Sequence, residues 1–164
     1  MKNIDNRRSI RTFLDKAVEA EKIDKILRAG MQAPSAGNQR PWEFVVVKNR
    51  SVLDKLSEMS PYAKMLASAP VAIVMIARDE RMVFPTMWQQ DMGACAQNIL
   101  LEIVEQGLGA VWLGVAPEEE RMNYVLEAIG MEDIKAFAVI PFGYSDKENK
   151  FIDRYEEERV IILD

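Results

Sequence analysis

The sequence predicts an α/β or α+β domain built around a mostly buried β-sheet. Short runs of consecutive apolar residues, typical of strands buried on both faces, alternate with segments whose apolar residues recur at helical spacing. The chain has 164 residues, enough for one domain with a real core, and no linker or internal repeat divides it. We therefore expect residues 1–164 to form a single domain, in which residues 145–164 are a C-terminal arm.

The first half of the chain is predicted to alternate helices with two buried strands. Residues 20–32 form the first predicted helix, because Ile23, Ile26 and Met31 fall on one helical face and Pro34 ends the pattern. Residues 34–41, PSAGNQRP, are dense in loop-forming residues. After this loop we predict, in order, a strand at 44–47, a helix over 51–59 with Ser51 as its N-cap, a short helix over 61–68 and a strand at 71–76.

The second half is dominated by a long helix, predicted over residues 86–106. Its apolar stripe is joined by Leu101 and Val104 on other faces, which indicates burial on more than one side. Gly107 or Gly109 is the predicted cap. The remaining predicted elements are a strand at 111–115, a helix opened by Pro117 and running to residue 129, a strand at 136–142 and, after the charged arm, a terminal strand at 160–163.

Charge and hydropathy narrow the class of protein. The net charge is −5, so wholesale nucleic-acid binding is not expected, and the positive charge is instead local, at Arg7, Arg8 and Arg11. The apolar runs are shorter than the roughly 20 residues that cross a bilayer, and the N-terminus shows no apolar signal-peptide core. We therefore expect no association with membranes. The lone cysteine, Cys95, cannot form an internal disulfide, so we also expect a cytoplasmic protein.

The sequence contains no histidine. Together with the single cysteine, this excludes Ser-His-Asp and Cys-His triads, HExxH zinc sites and Cys-rich zinc or iron–sulfur sites, so we expect no metal site. If the protein is an enzyme, either carboxylates or a bound cofactor must carry out the chemistry.

Three guanidinium groups and a hydroxyl lie close together at the start of the chain, on Arg7, Arg8, Ser9 and Arg11. Arginine binds phosphate through paired, charge-assisted hydrogen bonds, so this cluster predicts an anion site. A solvated basic N-terminus explains the same residues about equally well.

Two glycine-containing segments are candidate ligand loops. In Pro34-Ser35-Ala36-Gly37-Asn38 the small residues let the backbone approach a ligand, although a plain helix-to-strand turn has the same composition. The segment GLGAVWLG at 107–114 lacks the GxGxxG spacing and the strand-to-helix context of a dinucleotide-binding fingerprint. Gly114, near the end of a predicted strand, either leaves backbone N–H groups uncovered beside a ligand or serves close packing.

Two weaker sets of candidates remain. Asp153-Arg154, with Lys147 or Lys150, either offers further phosphate contacts or forms a solvated charged face. The aromatic side chains of Tyr62, Phe84 and Trp88 either cover a planar ligand or pack in the core.

Five segments, taken in chain order, resemble the nitroreductase family of flavoproteins. They are RRSIRTF at 7–13, APSAGNQRPWEFVVV at 33–47, DMGACAQNILLEIVEQGLGAVWLG at 91–114, PFGY at 141–144 and DRYEEERV at 153–160. The resemblance implies a nitroreductase-like α+β sandwich, with a central mixed β-sheet flanked by helices and a C-terminal arm exchanged between the subunits of a homodimer. It also implies two FMN sites in the dimer interface. The long helix would lie at the centre of this interface.

The resemblance assigns roles to the candidate residues. It implies that Arg7, Arg8, Ser9 and Arg11 bind the FMN phosphate and the pyrimidine edge of the flavin. It also implies that Arg154 contacts the phosphate. The neighbouring subunit supplies Pro34, Ser35, Gly37 and Asn38, while Leu113 and Gly114 lie beside the flavin and offer a backbone N–H to N5.

The function that the resemblance implies is a ping-pong transfer of electrons from NADH or NADPH, through flavin N5, to a small acceptor such as a nitroaromatic or a quinone. No catalytic side chain is needed, since the flavin carries the electron chemistry. One alternative is a flavin storage or sensing protein with little turnover, because residues 59–88 leave little room for a large lid. Specialised chemistry, such as reductive dehalogenation, is another.

Overall fold

The computed structural model describes residues 2–147 and 151–163, so Lys150, a candidate phosphate contact, lies outside the described residues. The helices are α1 (Lys2–Asn6), α2 (Ala20–Met31), α3 (Arg50–Leu56), α4 (Trp88–Glu105) and α5 (Glu119–Ile129). The strands are β1 (Trp42–Val47), β2 (Val71–Ala77), β3 (Gly109–Ala110), β4 (Leu113–Gly114) and β5 (Lys135–Gly143). Short 3₁₀ turns lie at Ala36–Asn38, Lys64–Ala67, Asp79–Arg81, Pro85–Met87 and Glu157–Arg159.

The strands form one sheet in the order β1-β2-β5-β3, and β4 also pairs with β5. These strand pairs are antiparallel, whereas Ser9 forms a parallel bridge with Ala110 in β3, which makes the sheet mixed. β2 and β5 are buried along almost their whole lengths, because helices cover both faces of the sheet. The predicted α+β sandwich is therefore confirmed.

Alternating residues of the central strands belong to two apolar clusters, one on each face of the sheet. Ile73 and Ile140 contribute to the cluster under α2 and α4, whereas Val74 and Val139 contribute to the cluster under α3 and α5. Leu101 and Val104 of α4 remain half-buried in the single chain. Within the described ranges, no helix is both long enough and apolar enough to cross a membrane.

The structure corrects two predicted helix boundaries and adds one short helix. Asn49, not Ser51, caps α3, because its side chain accepts the Val52 N–H at 3.3 Å. Pro117 lies in the turn before α5, whose N-cap is Glu118, and not in the first turn of the helix. The short α1 was not expected, since its five residues carry no apolar stripe.

Of the two glycines predicted to cap α4, only Gly107 does so. Gly107 has a φ of 72°, and the N–H groups of Gly107 and Leu108 donate to Val104 and Ile103, each at 3.0 Å. Gly109 does not cap the helix, because this residue begins β3.

Two predicted strands differ in the structure. The strand expected at 111–115 is divided into β3 and β4, because Val111 pairs with Pro141, which has no N–H to donate back. The arm over residues 151–163 pairs with no strand in the described chain, and Ile161, Ile162 and Leu163 are 84%, 77% and 92% exposed. A strand needs a neighbour to hydrogen-bond to, so the terminal strand at 160–163 stays a prediction about a dimer.

Candidate functional site

The arginine-rich segment runs along an edge of the sheet. Ser9 bridges Ala110, and the N–H of Ile10 donates to the Ala110 carbonyl at 2.8 Å. Gly109 allows this close approach, because a Cβ on it would lie 2.8 Å from the Cβ of Ile10. The buried Ile10 therefore anchors a segment that carries Arg7 and Arg8 on one side and Arg11 on the other.

Arg7, Arg8 and Arg154 line one cavity of about 260 Å³. The C-terminal arm brings Arg154 back to the N-terminal arginines, where Phe151 also contributes to the lining. Asp5 is the acidic residue at this cavity, so three guanidinium groups leave it with net positive charge. Such a cavity suits a multiply charged anion.

Arg11, Leu113 and Gly114 line a second cavity, of about 480 Å³. Lys64 and Arg121 add two more cations, and none of the described residues that line this cavity is acidic. Part of the region between Met59 and Trp88 also lines this cavity, through Ser60, Pro61, Tyr62, Lys64 and Met65. A cavity of this kind attracts negative charge in a protein whose net charge is −5.

The backbone of Gly114 faces away from the sheet. The N–H groups of Val111 and Val115 donate to Pro141 and Phe137 of β5, at 3.3 Å and 3.1 Å. Because alternate residues of an antiparallel strand direct their backbone groups to the same side, the N–H of Gly114 points away from β5. A Cβ on Gly114 would meet nothing within 4 Å, so this glycine leaves backbone uncovered and does not serve close packing.

The predicted loop residues Pro34, Ser35, Gly37 and Asn38 line neither cavity in the single chain. Gly37 and Asn38 both adopt left-handed backbone, with φ values of 54° and 55°. The Oγ of Ser35 accepts the N–H of Arg40 at 3.0 Å, so this hydroxyl is used within the loop. The left-handed backbone of Asn38 is a conformation that residues other than glycine seldom adopt.

A buried carboxylate, which the sequence reasoning did not find, supports this loop. Asp91 is 5% exposed, and it accepts hydrogen bonds from the Ala36 N–H at 2.9 Å and from Nε2 of Gln39 at 2.5 Å. Asp91 lies one helical turn before Cys95, on the buried stripe of α4. A polar residue on an apolar stripe was therefore the signal for a buried hydrogen-bonded site.

The weaker candidates separate into different surroundings. Trp88 packs against Phe137, with ring centroids 5.9 Å apart, so the core interpretation is confirmed for this residue. Tyr62 is 79% exposed at the rim of the second cavity. Lys147 lines a third cavity, of about 240 Å³, beside Asn6 and Ile10, away from the three arginines of the first cavity.

Comparison with known proteins decides the family. A model of the nitroreductase family matches residues 4–60 and 57–144. The chain belongs to the nitroreductase family. As a member of this family the protein is an oxidoreductase.

Individual nitroreductase-family proteins match over nearly the whole chain. A candidate NADH dehydrogenase/NAD(P)H nitroreductase from Archaeoglobus fulgidus is 44% identical over 98% of this chain and 95% of its own length. The solved structure of a candidate NADH oxidase from Clostridium acetobutylicum is 54% identical, covers 99% of both chains and has a TM-score of 0.95. An FMN-dependent nitroreductase from Clostridium difficile R20291 is 33% identical over 99% of this chain and 98% of its own, with a TM-score of 0.89.

Two cations that line the second cavity, Lys64 and Arg121, were missed by the sequence reasoning. Lys64 lies in the 3₁₀ turn after the exposed Tyr62, and Arg121 follows a run of three glutamates at the start of α5. Charged residues in such settings resemble an ordinary solvated surface, so only their position around Gly114 reveals them.

Proposed function

We propose that this protein is an FMN-dependent oxidoreductase that passes electrons from NADH or NADPH to a small acceptor, such as a nitroaromatic or a quinone. The observation that carries the proposal is the second cavity, where Arg11, Lys64 and Arg121 surround the uncovered backbone of Gly114. The names of the relatives, which include an FMN-dependent nitroreductase and a candidate NAD(P)H nitroreductase, support this cofactor and this donor.

The donor groups of both cavities suit FMN. Its phosphate fits the first cavity, where Arg7, Arg8 and Arg154 supply charge-assisted hydrogen bonds. The pyrimidine edge of the flavin accepts hydrogen bonds and fits Arg11, while N5 fits the N–H of Gly114. When bound, FMN supplies the hydride and electron chemistry for which this chain has no suitable side chain.

The side chains then act by binding and by electrostatics. The positive charges of Arg11 and Lys64 favour the reduced form of the flavin, which carries more negative charge than the oxidised form. Trp112 is fixed in the cavity wall by its ring contact with Phe137, at a centroid distance of 5.5 Å. Donor and acceptor use the same open face in turn, which gives the ping-pong cycle.

We extend the proposal to a cytoplasmic homodimer in which residues 1–164 form one FMN-binding domain and residues 145–164 an exchanged arm. In the single chain, the arm exposes the apolar side chains Phe151, Ile152, Val160, Ile161, Ile162 and Leu163. Several exposed apolar side chains on one segment indicate a protein interface. A second copy would cover it and would also bring its loop with Pro34, Ser35, Gly37 and Asn38 toward Arg11.

The first test is the visible absorption spectrum of the purified protein, reconstituted with FMN, before and after anaerobic addition of NADH and then NADPH. We expect flavin bands that bleach with at least one nucleotide. Bands that persist, together with slow steady-state NADH oxidation, would favour the storage alternative. A protein that holds no flavin after reconstitution would contradict the proposal.

The shared site has its own test. The triple substitution Ile161→Asp, Ile162→Asp and Leu163→Asp should separate the subunits, because it places charge in the apolar end of the arm. We expect the resulting monomer, identified by light scattering, to lose FMN binding, while Arg154 and the first cavity remain in the chain. A monomer that retains stoichiometric FMN would refute a site built from two subunits.

A further inference from the structure

We propose that Arg121 is a positioning residue, which fixes the Gly114 peptide and thereby raises the reduction potential of the bound flavin. The Nη1 of Arg121 donates to the carbonyl oxygen of Gly114 at 3.0 Å, and both residues line the second cavity. This inference rests on the function proposed above, since it concerns the same cavity.

Gly114 needs an external anchor. It is an exposed glycine at the end of β4, a strand of two residues, and a Cβ at this position would meet nothing within 4 Å. Glycine has the widest choice of backbone conformations, and the sheet holds the peptide that carries the Gly114 carbonyl through the Val115 N–H, which donates to Phe137 at 3.1 Å. The hydrogen bond from Arg121 to the Gly114 carbonyl holds the same peptide from its other side, so it further limits rotation at Gly114 and keeps the Gly114 N–H directed away from β5.

The bond also changes the electrostatics of the cavity. In an antiparallel strand the N–H and C=O of one residue point to the same side, so the Gly114 carbonyl lies on the same side as its N–H. An uncompensated carbonyl oxygen there would repel the negative charge that builds up on a reduced flavin. Arg121 offsets this oxygen with a full positive charge.

The guanidinium of Arg121 bonds to the Gly114 carbonyl and does not pair with a neighbouring carboxylate. Glu118, Glu119 and Glu120 precede it directly, yet Arg121 forms no ion pair with any described residue. Its Nε is buried without a hydrogen-bond partner in the described part of the chain. Burial of an unsatisfied donor is unfavourable, and such exceptions to local rules concentrate at functional sites.

The helix that carries Arg121 is firmly placed. Val125 and Leu126 of α5 are buried in the core, and the hydroxyl of Tyr124 donates to the carbonyl of Lys55 at 3.1 Å. The stem of Arg121 therefore starts from a fixed position, as a residue that orients another group requires.

The test is the midpoint potential of FMN bound to the wild-type protein, Arg121→Gln and Arg121→Lys, measured anaerobically against a reference dye. In Arg121→Gln, we expect the preference for reduced over oxidised FMN to fall about tenfold, which corresponds to about 30 mV for a two-electron couple. Lysine keeps the charge but loses the planar guanidinium, so Arg121→Lys should show a smaller fall. The control Arg28→Gln removes an exposed arginine whose partner is Asp24, and its potential should equal that of the wild type.

The outcomes separate this inference from the proposed function. A bleachable flavin whose potential is unchanged in Arg121→Gln would overturn the role of Arg121 and leave the proposed function standing. If Arg121→Gln does not bind FMN, Arg121→Lys decides, because a wild-type potential in that variant would equally overturn the inference. A wild-type protein without flavin would overturn the proposed function and this inference with it.

Discussion

The side-chain amide of Gln39 pairs with both backbone groups of Phe84. Its Oε1 accepts the Phe84 N–H at 2.8 Å, and its Nε2 donates to the Phe84 carbonyl at 3.2 Å and to the Asp91 carboxylate at 2.5 Å. Gln39 is 9% exposed, so these bonds are shielded from water. One side chain therefore joins the loop that carries Gly37 and Asn38 to the segment that precedes α4.

We expect Gln39→Leu to lower the free energy of unfolding by about 1–3 kcal/mol, because the partly buried backbone groups of Phe84 and the buried carboxylate of Asp91 would lose their hydrogen bonds. Urea denaturation followed by circular dichroism measures this change. Gln32→Leu, an exposed glutamine after α2, is the matched control and should stay within about 0.5 kcal/mol of the wild type. Equal stability of the two variants would show that the pairing with Phe84 contributes nothing.

Gly37 and Gly130 make a second matched pair of sites. Both have left-handed backbone, with φ values of 54° and 67°. A Cβ on Gly37 would lie 2.5 Å from Cε2 of Phe84, whereas a Cβ on Gly130 would meet nothing within 4 Å. Gly37→Ala should therefore destabilise more than Gly130→Ala, which carries only the backbone strain of about 1 kcal/mol. Thermal denaturation of both variants, and of Gly37→Ala combined with Phe84→Ala, tests this, since removal of the ring should abolish the difference.

Much of the fold was predictable because its signals are local. The buried strands around Val74 and Val139 and the apolar stripe of α4 follow directly from the spacing of apolar residues. The division of the edge strand was not predictable, since it depends on which residue of β5 faces Val111, and that residue is Pro141. Strand register is a property of two distant segments, and spacing within one segment does not contain it.

The candidate site shows the same limit. Residue types within short motifs indicated Arg7, Arg8 and Arg11 as anion ligands, but not that they divide between two cavities. Arg121 could not be found in advance, because its contact with Gly114 depends on how α5 packs after the turn that follows β4. Asp91 left a readable signal, as a polar residue on a buried stripe, but its partner Gln39 left none.

Removal of Arg11 tests whether the second cavity binds FMN. We expect Arg11→Ala to weaken FMN binding by about 1.5–3 kcal/mol, the usual contribution of a charge-assisted hydrogen bond. Quenching of flavin fluorescence in a titration gives the dissociation constant. Arg28→Ala, which removes an equally charged side chain that pairs with Asp24 in α2, should bind FMN like the wild type. An unchanged constant in Arg11→Ala would exclude this residue from the site.

Cys95 should be chemically inert in the folded protein. Burial in the core raises the pKa of the Cys95 thiol to about 12, so the thiol stays protonated at pH 8. The reactive thiolate is then scarcer by about three orders of magnitude than in an ordinary cysteine. Alkylation by iodoacetamide should be very slow in the native protein and normal in guanidinium chloride. Equal rates in the two solvents would contradict the burial of this side chain.

Tyr144 links the end of β5 to the turn before α2 through Glu19. The hydroxyl of Tyr144 lies 2.8 Å and 2.9 Å from the two carboxylate oxygens of Glu19. The backbone N–H of Glu19 and, after it, the Tyr144 hydroxyl hold the pKa of the Glu19 carboxyl below its usual value. Because the folded-state pKa is lowered, the ionised carboxylate stabilises the fold above pH 4.5, and this contribution is lost as the pH falls through the folded-state pKa.

Tyr144→Phe should raise the pKa of Glu19 only part of the way to its usual value, because the backbone hydrogen bond remains. The stability difference from the wild type should be largest near neutral pH and should shrink below pH 4.5, as the carboxyl becomes protonated in both proteins. An NMR titration of the Glu19 carboxyl and urea unfolding at both pH values measure the two effects, with Tyr62→Phe, at a residue that is 79% exposed, as the control. A stability difference independent of pH would mean that Tyr144 acts through packing or through Lys22, whose Nζ lies 3.0 Å from the hydroxyl, and not through the charge of Glu19.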